Sequence, residues 1–166
     1  SSRIGLPSFK MLGASWAVYR SVLQRFGHEV APWRSIDELR EKFRALSPLM
    51  LTTATDGNHG RAVARMAKLL GFSSHIYVPK GTAAARIEAI RGEEANVAII
   101  NGNYDDAVRC AAEDAGDRCL VVSDTSWPGY EKPPRWVIDG YSTIFWEIEE
   151  TLAGQGRPGP DLVAVQ

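Results

Sequence analysis

Residues 49–79 read LMLTTATDGNHGRAVARMAKLLGFSSHIYVP, and this stretch decides the fold. The short apolar run at 49–53 predicts a strand, because it is followed at once by the polar, glycine-containing turn TDGNHG. Residues 61–70 have the apolar spacing of a helix, and residues 75–78 predict a second buried strand. A strand, a helix and a strand in this order predict two parallel strands of one sheet.

The same alternation continues on both sides of this stretch. Helical spacing, caps and short apolar runs predict helices at 9–26, 35–46, 83–91, 105–115 and 136–152, and strands at 97–100, 120–122 and 161–165. The fold class that follows is α/β, with three αβα layers around a mainly parallel, doubly wound sheet. In such sheets ligands bind at the carboxyl ends of the strands.

Three parts are expected along the chain. Residues 1–47 hold the N-terminal helices with Lys10, and residues 48–134 form a small α/β domain. Residues 135–166 form a long helix and the first strand that leads into a larger domain. Glycine and proline in the link AGQGRPGP, before that last strand, predict a flexible connection.

Composition and charge narrow the classes of function. Hydrophobic residues make up 45% and charged residues 23%, as in ordinary globular proteins, and the net charge of -1 gives no reason to expect nucleic acid or an anionic membrane as partner. The N-terminus lacks the apolar core of a signal peptide, and no run approaches the roughly 20 apolar residues of a membrane span. Cys110 and Cys119 have no metal-ligand spacing, so we expect free thiols in a cytoplasmic protein and no metal site.

Lys10 is the first candidate for chemistry. It lies near the start of the first helix, two residues after the candidate cap Ser8 and among apolar Phe9, Met11 and Leu12. The positive helix end and the apolar surroundings would both disfavour its ammonium form, and a neutral lysine can attack an aldehyde. Taken alone, a lysine at the end of a helix is usually a solvated surface charge, and that interpretation is favoured for Lys10 by itself.

The turn at 55–60 is more specific, because it joins the end of a strand to the start of a helix. Backbone N–H groups at such a place favour an anion such as a carboxylate. Asn58 can donate to an oxygen of a ligand, Asp56 can act as a base, and His59 lies in the same turn. The alternative is a simple turn in which Asn58 or Asp56 caps the helix.

Two further side chains follow strand ends. Tyr104 comes after Asn103, which is expected to cap a helix, and its ring could face the cleft. Asp124 directly follows a strand, where its carboxylate could bind an ammonium group on a substrate or form a turn.

Two other patterns argue against further sites. His75 alternates within a strand and is expected to be structural. The sequence has no GxGxxG or GxxxxGK[ST] loop, so nucleotide binding by such a loop is unsupported.

Taken together, Lys10 and the turn Asp56-Gly57-Asn58-His59-Gly60 resemble the fold type II family of pyridoxal-phosphate (PLP) enzymes. Within that family the chain is most similar to the diaminopropionate ammonia-lyases. Most other members have Ser or Thr where Asp56 stands. The resemblance extends to the segments Tyr77 to Gly81, Asn103 to Asp106, Asp124 to Trp127 and Gly140 to Ile144.

The resemblance implies a homodimeric PLP-dependent lyase that eliminates both amino groups of 2,3-diaminopropionate and yields pyruvate and ammonia. Lys10 would hold the cofactor and take the α-proton of the L-isomer, and Asp56 would be the base for the D-isomer. The cofactor-binding residues implied are Lys10, Gly57 and Asn58, and the substrate-binding residues are Thr55, Asp56, His59, Tyr104 and Asp124.

One feature of the family is missing from the sequence. The glycine-rich loop that holds the PLP phosphate would follow the strand at which this chain ends, so we expect an N-terminal half that is inactive alone. Two alternatives remain. The chain could belong to another fold type II lyase such as a serine or threonine dehydratase, or it could be a non-catalytic α/β module that binds a small anion or a partner subunit.

Overall fold

The computed structural model describes residues 4–27 and 31–164 and contains a parallel sheet of four strands. The strands are β1 (Met50–Ala54), β2 (Ser73–Pro79), β3 (Asn96–Ile100) and β4 (Cys119–Val121). The helices are α1 (Lys10–Phe26), α2 (Ile36–Phe43), α3 (Asn58–Leu70), α4 (Ala84–Arg91), α5 (Tyr104–Glu113) and α6 (Lys132–Gly154), with a 3-10 turn at Arg44–Leu46. The predicted α/β class is confirmed.

The strand order β3-β2-β1-β4 makes the sheet doubly wound. From β1 the chain moves outward through α3 to β2 and through α4 to β3. It then returns through α5 to β4, which pairs with the free side of β1. The order of the strands therefore reverses between β1 and β4, and the gap between their carboxyl ends is the place where α/β sheets bind ligands.

Two apolar clusters cover the two faces of the sheet. The larger one joins α1, α2 and α3 to one face and includes Val18, Val63 and Ile76. The smaller one lies under α5 and includes Tyr77 and Ala107. Neighbouring residues of β2 thus enter opposite clusters, as the pleat of a strand requires, and three layers result.

Helices α1 and α6 pack with almost no side chain between their backbones. A Cβ atom on Gly13 would lie 2.7 Å from the carbonyl oxygen of Val137, and one on Gly140 would lie 2.5 Å from that of Leu12. Such distances are too short for any side chain, so glycine is needed at both positions. The contact joins the first and last of the three predicted parts, whose division at 47 and 134 stays a prediction.

Some predicted boundaries were wrong. Helix α3 begins at Asn58 instead of 61, and α6 begins at Lys132 instead of 136, because the two prolines that follow Lys132 are tolerated in a first helical turn. The strand predicted at 161–165 does not form over 161–164, where the residues are exposed and pair with none of the four strands. A strand exists only through hydrogen bonds to a neighbour. Val165 lies outside the described residues.

Two remaining predictions concern membranes and cysteines. No helix within residues 4–27 and 31–164 is long and apolar enough to cross a membrane. Cys110 and Cys119 are free, as predicted, and Cys119 is buried. Burial, with a smaller contribution from Asp114, raises the pKa of the Cys119 thiol to about 11.

Candidate active site

The eight residues predicted for the site line one cavity of about 260 Å³, which we call the switch-point cavity. Its lining residues are Lys10, Thr55, Asp56, Gly57, Asn58, His59, Arg86, Tyr104 and Asp124. The cavity lies beyond the carboxyl ends of β1 and β4. Parallel strands place the residues that follow them at one edge of the sheet, which is why such distant parts of the sequence meet there.

Thr55 shapes the turn that enters α3. Its buried hydroxyl oxygen accepts hydrogen bonds from the amides of Gly57, at 2.9 Å, and Gly60, at 3.0 Å. A Cβ atom on Gly60 would collide with the Thr55 side chain and lie 2.8 Å from Cγ2 of Ile76, so glycine allows the helix to start close to the sheet.

The N-cap residue of α3 is Gly57, and the side chain that accepts from its first turn is that of Thr55, so the alternative in which Asn58 or Asp56 caps the helix is wrong. The amides of Asn58 and His59, the first two of α3, have no acceptor within the helix. They border the cavity together with the positive end of the helix dipole. This edge of the cavity is suited to a carboxylate.

Lys10 is the first residue of α1, and it forms an ion pair across the cavity. Its Nζ lies 3.0 Å from Oδ2 of Asp124, and both side chains are partly buried. Burial by itself would lower the pKa of Lys10, but the hydrogen bond and charge of Asp124 raise it overall. The expectation that apolar surroundings favour a neutral Lys10 was therefore wrong for this state, because it left out the carboxylate.

Two neighbours of Lys10 also differ from expectation. Ser8 does not occupy the N-cap position, which belongs to Phe9, although its hydroxyl oxygen accepts from the Lys10 amide at 3.3 Å. The Phe9 ring, expected to surround the lysine, is 52% exposed. The apolar environment of Lys10 is thus open on one side.

His59 is buried on α3, not exposed in a loop. Its Nε2 lies 2.8 Å from the carbonyl oxygen of Val122, and since a carbonyl only accepts, Nε2 carries the hydrogen. Burial lowers the pKa of His59, against the charge of Asp124, and favours the neutral ring. The other nitrogen, Nδ1, is then an acceptor without a hydrogen-bond partner among the described residues, 3.7 Å from Oδ2 of Asp124.

Asp124 stays ionised in this arrangement. Burial by itself would raise the pKa of Asp124, but a positive charge on His59 and the hydrogen bond and charge of Lys10 lower it overall; when His59 is neutral, Lys10 is the cation that remains. Its carboxylate is therefore a negative charge at the wall of the cavity. In this structure the carboxylate pairs with an ammonium group of the chain itself, and the binding of a substrate ammonium stays a prediction.

Asp56 and Tyr104 lie nearer the opening. The Asp56 side chain is exposed, and its backbone carbonyl accepts from Nη1 of Arg86 at 3.0 Å. Tyr104 faces the cavity, with its hydroxyl 3.3 Å from Oγ1 of Thr125, and burial raises the pKa of its phenol. Asn103 caps α5 through a capping box with Asp106, as expected.

Sequence reasoning missed two residues beside the site. Arg86 lines the cavity from the first turn of α4, and the ring centroid of Tyr141 lies 5.6 Å from Nζ of Lys10. An arginine early in a surface helix has no distinguishing pattern. Tyr141 could be noticed only through the Gly140-Tyr141 pair, which belongs to the segments that carry the family resemblance.

The residues present fit part of a PLP site. The start of α3 and two buried polar atoms, Nδ1 of His59 and Oη of Tyr141, lie near the amine of Lys10, and neither atom has a hydrogen-bond partner within residues 4–27 and 31–164. Buried polar atoms normally have partners, so unpaired ones beside a cavity indicate polar groups of a ligand. Lys10 and Arg86 are the cations that line the cavity, and Lys10 is paired with Asp124.

Comparison with known proteins gives three consistent results. The family described as pyridoxal-phosphate dependent enzyme matches residues 3–166. A diaminopropionate ammonia-lyase from Salmonella typhimurium is 38% identical over 171 residues, which cover 100% of this chain and 42% of that protein. An L-serine dehydratase/L-threonine deaminase from Bos taurus is 33% identical over 112 residues, 66% of this chain and 31% of that protein.

Solved structures agree with the sequence comparison. The crystal structure of Escherichia coli diaminopropionate ammonia lyase in apo form superposes with a TM-score of 0.83 and 37% identity, covering 95% of this chain and 42% of that one. The chain therefore spans about 40% of the length of the relatives it matches best among these.

Proposed function

Because the chain belongs to the family of pyridoxal-phosphate dependent enzymes, we propose that it contributes the lysine and the substrate-binding turn of a diaminopropionate ammonia-lyase. The observation that carries the proposal is the meeting of Lys10, the 55–59 turn, Tyr104 and Asp124 around one cavity. In the whole protein, one 2,3-diaminopropionate and one water would give one pyruvate and two ammonia.

Lys10 has two tasks in this proposal. PLP, when bound, supplies the electron sink that stabilises negative charge on the substrate α-carbon. Lys10 holds the cofactor at the start of α1 and, once the substrate amine has displaced it, takes the α-proton of the L-isomer on Nζ. Only a neutral amine can take that proton, so Lys10 must first leave its ion pair with Asp124.

Asp124 gains a new partner when Lys10 loses its charge. Once Lys10 is neutral, the cation that lowered the pKa of Asp124 is gone, so the carboxylate needs another cation nearby to stay ionised. The β-ammonium group of diaminopropionate supplies that cation, and the acceptor Nδ1 of His59 lies close to the same carboxylate oxygen. Serine and threonine carry a hydroxyl at this position, which pairs with a carboxylate less strongly than an ammonium does.

The turn binds the opposite end of the substrate. The amides of Asn58 and His59 at the start of α3 are suited to its α-carboxylate, and the Thr55 hydroxyl hydrogen is still available to donate. Gly57 and Asn58 are proposed to contact the cofactor ring. Asp56 is the proposed base for the D-isomer, since its exposed carboxylate lies at the opening while its backbone is held by Arg86.

Spectroscopy of the full-length protein tests the role of Lys10. With PLP added, we expect an absorption band at the border of the visible and ultraviolet from the lysine-bound cofactor, and Lys10→Ala should abolish it. Lys80→Ala is the matched control, because Lys80 is exposed and lies outside the switch-point cavity. A band that survives in Lys10→Ala, or disappears in Lys80→Ala, contradicts the assignment.

Substrate assays separate the alternatives. Release of ammonia from diaminopropionate well above that from serine and threonine supports the lyase over a dehydratase. The reverse preference would favour the dehydratase relatives, and absence of cofactor binding by the full-length protein would favour a non-catalytic module. The homodimer and the cytoplasmic location stay predictions of the resemblance.

A further inference from the structure

Two aromatic rings contact the amine of Lys10. Its Nζ lies 5.7 Å from the ring centroid of Phe9 and 5.6 Å from that of Tyr141, and the two rings meet edge to face with centroids 5.5 Å apart. Phe9 is the neighbour of Lys10 in sequence. Tyr141 comes from α6 at the far end of the chain, so its place beside the lysine depends on how α1 and α6 cross.

That crossing is shaped around Tyr141. A Cβ atom on Gly13, one helical turn after Lys10, would lie 2.6 Å from Cε1 of Tyr141. Gly140, the residue before Tyr141, lies against the backbone of α1 at Leu12. Near-contact of two helix backbones leaves little freedom to slide, so the Tyr141 ring is held in a defined position relative to the lysine.

The hydroxyl of Tyr141 is the second observation. Its oxygen is buried and has no hydrogen-bond partner among the described residues. Burial raises the pKa of Tyr141, although the charge of Lys10 opposes this, so the phenol keeps its hydrogen and its lone pairs remain free to accept. A buried tyrosine hydroxyl normally has a partner, and the Lys10 amine is the charged donor that lies over the same ring.

We infer that Tyr141 is a positioning residue for Lys10: its ring supports the ε-ammonium, and its hydroxyl serves as a hydrogen-bond acceptor for Nζ when the amine turns away from Asp124. Asp124 supplies the opposing charge, with His59 behind it, and the other titratable groups that line the same cavity are Tyr104, Asp56 and Arg86. Tyr141 fixes the direction of the amine, which a carboxylate on a loop cannot do alone.

The consequence for catalysis rests on the proposed function, but the contact itself does not. After the substrate displaces Lys10, the amine must remain within reach of the α-carbon. A partner on a rigid helix would keep it there, whereas the ion pair with Asp124 would draw it toward β4. Tyr141 is thus expected to affect the proton-transfer step and leave substrate binding unchanged.

The test is a site-resolved titration of Lys10 in the full-length protein without cofactor. Trace acetylation across a pH series, with peptides quantified by mass spectrometry, gives the half-titration pH of each lysine. Tyr141→Phe keeps the ring and removes the hydroxyl, and Tyr141→Leu removes both while keeping the site dry. We expect the Lys10 half-titration to fall by about half to one pH unit in Tyr141→Phe and further in Tyr141→Leu.

Val137→Ala is the matched control, because Val137 packs on Gly13 in the same helix contact but is not among the groups that shift the pKa of Lys10. This variant should leave the half-titration pH of Lys10 unchanged. The exposed Lys80 serves as an internal reference in every sample. Equal Lys10 titrations in wild type and Tyr141→Phe would overturn the inference, and so would an equal shift in Val137→Ala. If Tyr141→Leu fails to fold, Tyr141→Phe decides.

A second measurement separates this inference from the proposed function. In the cofactor-loaded protein, Tyr141→Phe should lower kcat roughly tenfold or more with KM unchanged. A raised KM with unchanged kcat would overturn the positioning role. If the wild-type protein fails to bind PLP, the proposed function fails, while the titration still decides whether Tyr141 positions Lys10.

Discussion

Two aspartates of this protein each lie beside a histidine, and they have opposite surroundings. Asp124 follows the carboxyl end of β4 and lines the switch-point cavity. Asp114 follows α5, on the face of the sheet that α5 covers, and lies beside His75. Both carboxylates are partly buried, so burial alone cannot tell which of them belongs to a functional site.

The surroundings of Asp114 are saturated. One of its oxygens, Oδ2, accepts from the Thr52 hydroxyl at 3.2 Å, from Nδ1 of His75 at 3.1 Å and from the Tyr77 hydroxyl at 2.9 Å. Burial and the hydrogen bond to Asp114 raise the pKa of Tyr77 well above its usual range, which keeps the donor protonated. Every named partner is a donor that the carboxylate needs, so this cluster is structural.

The surroundings of Asp124 are incomplete by comparison. Its partner is Nζ at the end of the long Lys10 side chain. The nearby Nδ1 of His59 is a buried acceptor without a hydrogen-bond partner among the described residues. Polar groups that a fold leaves unpaired beside a cavity are available to a ligand. The comparison teaches that the number of unpaired groups, more than burial or the presence of histidine, distinguishes the cluster that we propose to be functional from the saturated one.

Asp124→Asn should have the largest effect on catalysis. The amide cannot balance an ammonium charge, so we expect kcat/KM for diaminopropionate to fall roughly 100-fold, about 2.7 kcal/mol of transition-state stabilisation. Steady-state assays of the full-length protein measure this. The far-ultraviolet circular dichroism and the unfolding midpoint should stay close to wild type, and a large loss of stability instead would place Asp124 with the structural aspartate.

Asp114→Ala should show the opposite pattern. Removing the shared acceptor leaves three donors of the sheet without a partner, so the free energy of unfolding should fall by about 1–3 kcal/mol. Denaturant unfolding measures the loss, and kcat/KM should change little, because Asp114 does not line the switch-point cavity. The distinction between the two clusters breaks down if catalysis falls here as far as it does in Asp124→Asn.

The fold and the members of the site could largely be predicted from the sequence. Periodicity marks the alternating strands and helices, and a parallel sheet then places the residues after each strand at one edge. This reasoning found the 55–59 turn, Tyr104 and Asp124. It also predicted a strand at 161–165, where 161–164 lie unpaired, because the sequence pattern does not show whether a neighbour is available.

Properties that depend on contacts between distant side chains could not be predicted. The charge of Lys10 is decided by Asp124, which lies far along the chain, and the local apolar sequence indicated the wrong direction. Tyr141 is brought to the lysine by a helix crossing that requires glycine on both sides. No periodicity within one helix records which face of another helix it will meet.

Alkylation of Cys119 tests the comparison between the two aspartates, and it has the smallest expected effect of the three tests. Burial and, to a lesser extent, the charge of Asp114 raise its thiol pKa to about 11, so little thiolate exists at pH 8 and alkylation should be slow. Labelling should accelerate as pH rises toward 11.

Asp114→Ala removes the nearby negative charge and loosens the cluster, which should speed alkylation at pH 8 a few-fold, as followed by mass spectrometry. Asp124→Asn serves as the control, since Asp124 is not among the groups that shift this thiol, and equal acceleration in both variants would mean that the two clusters are coupled through β4.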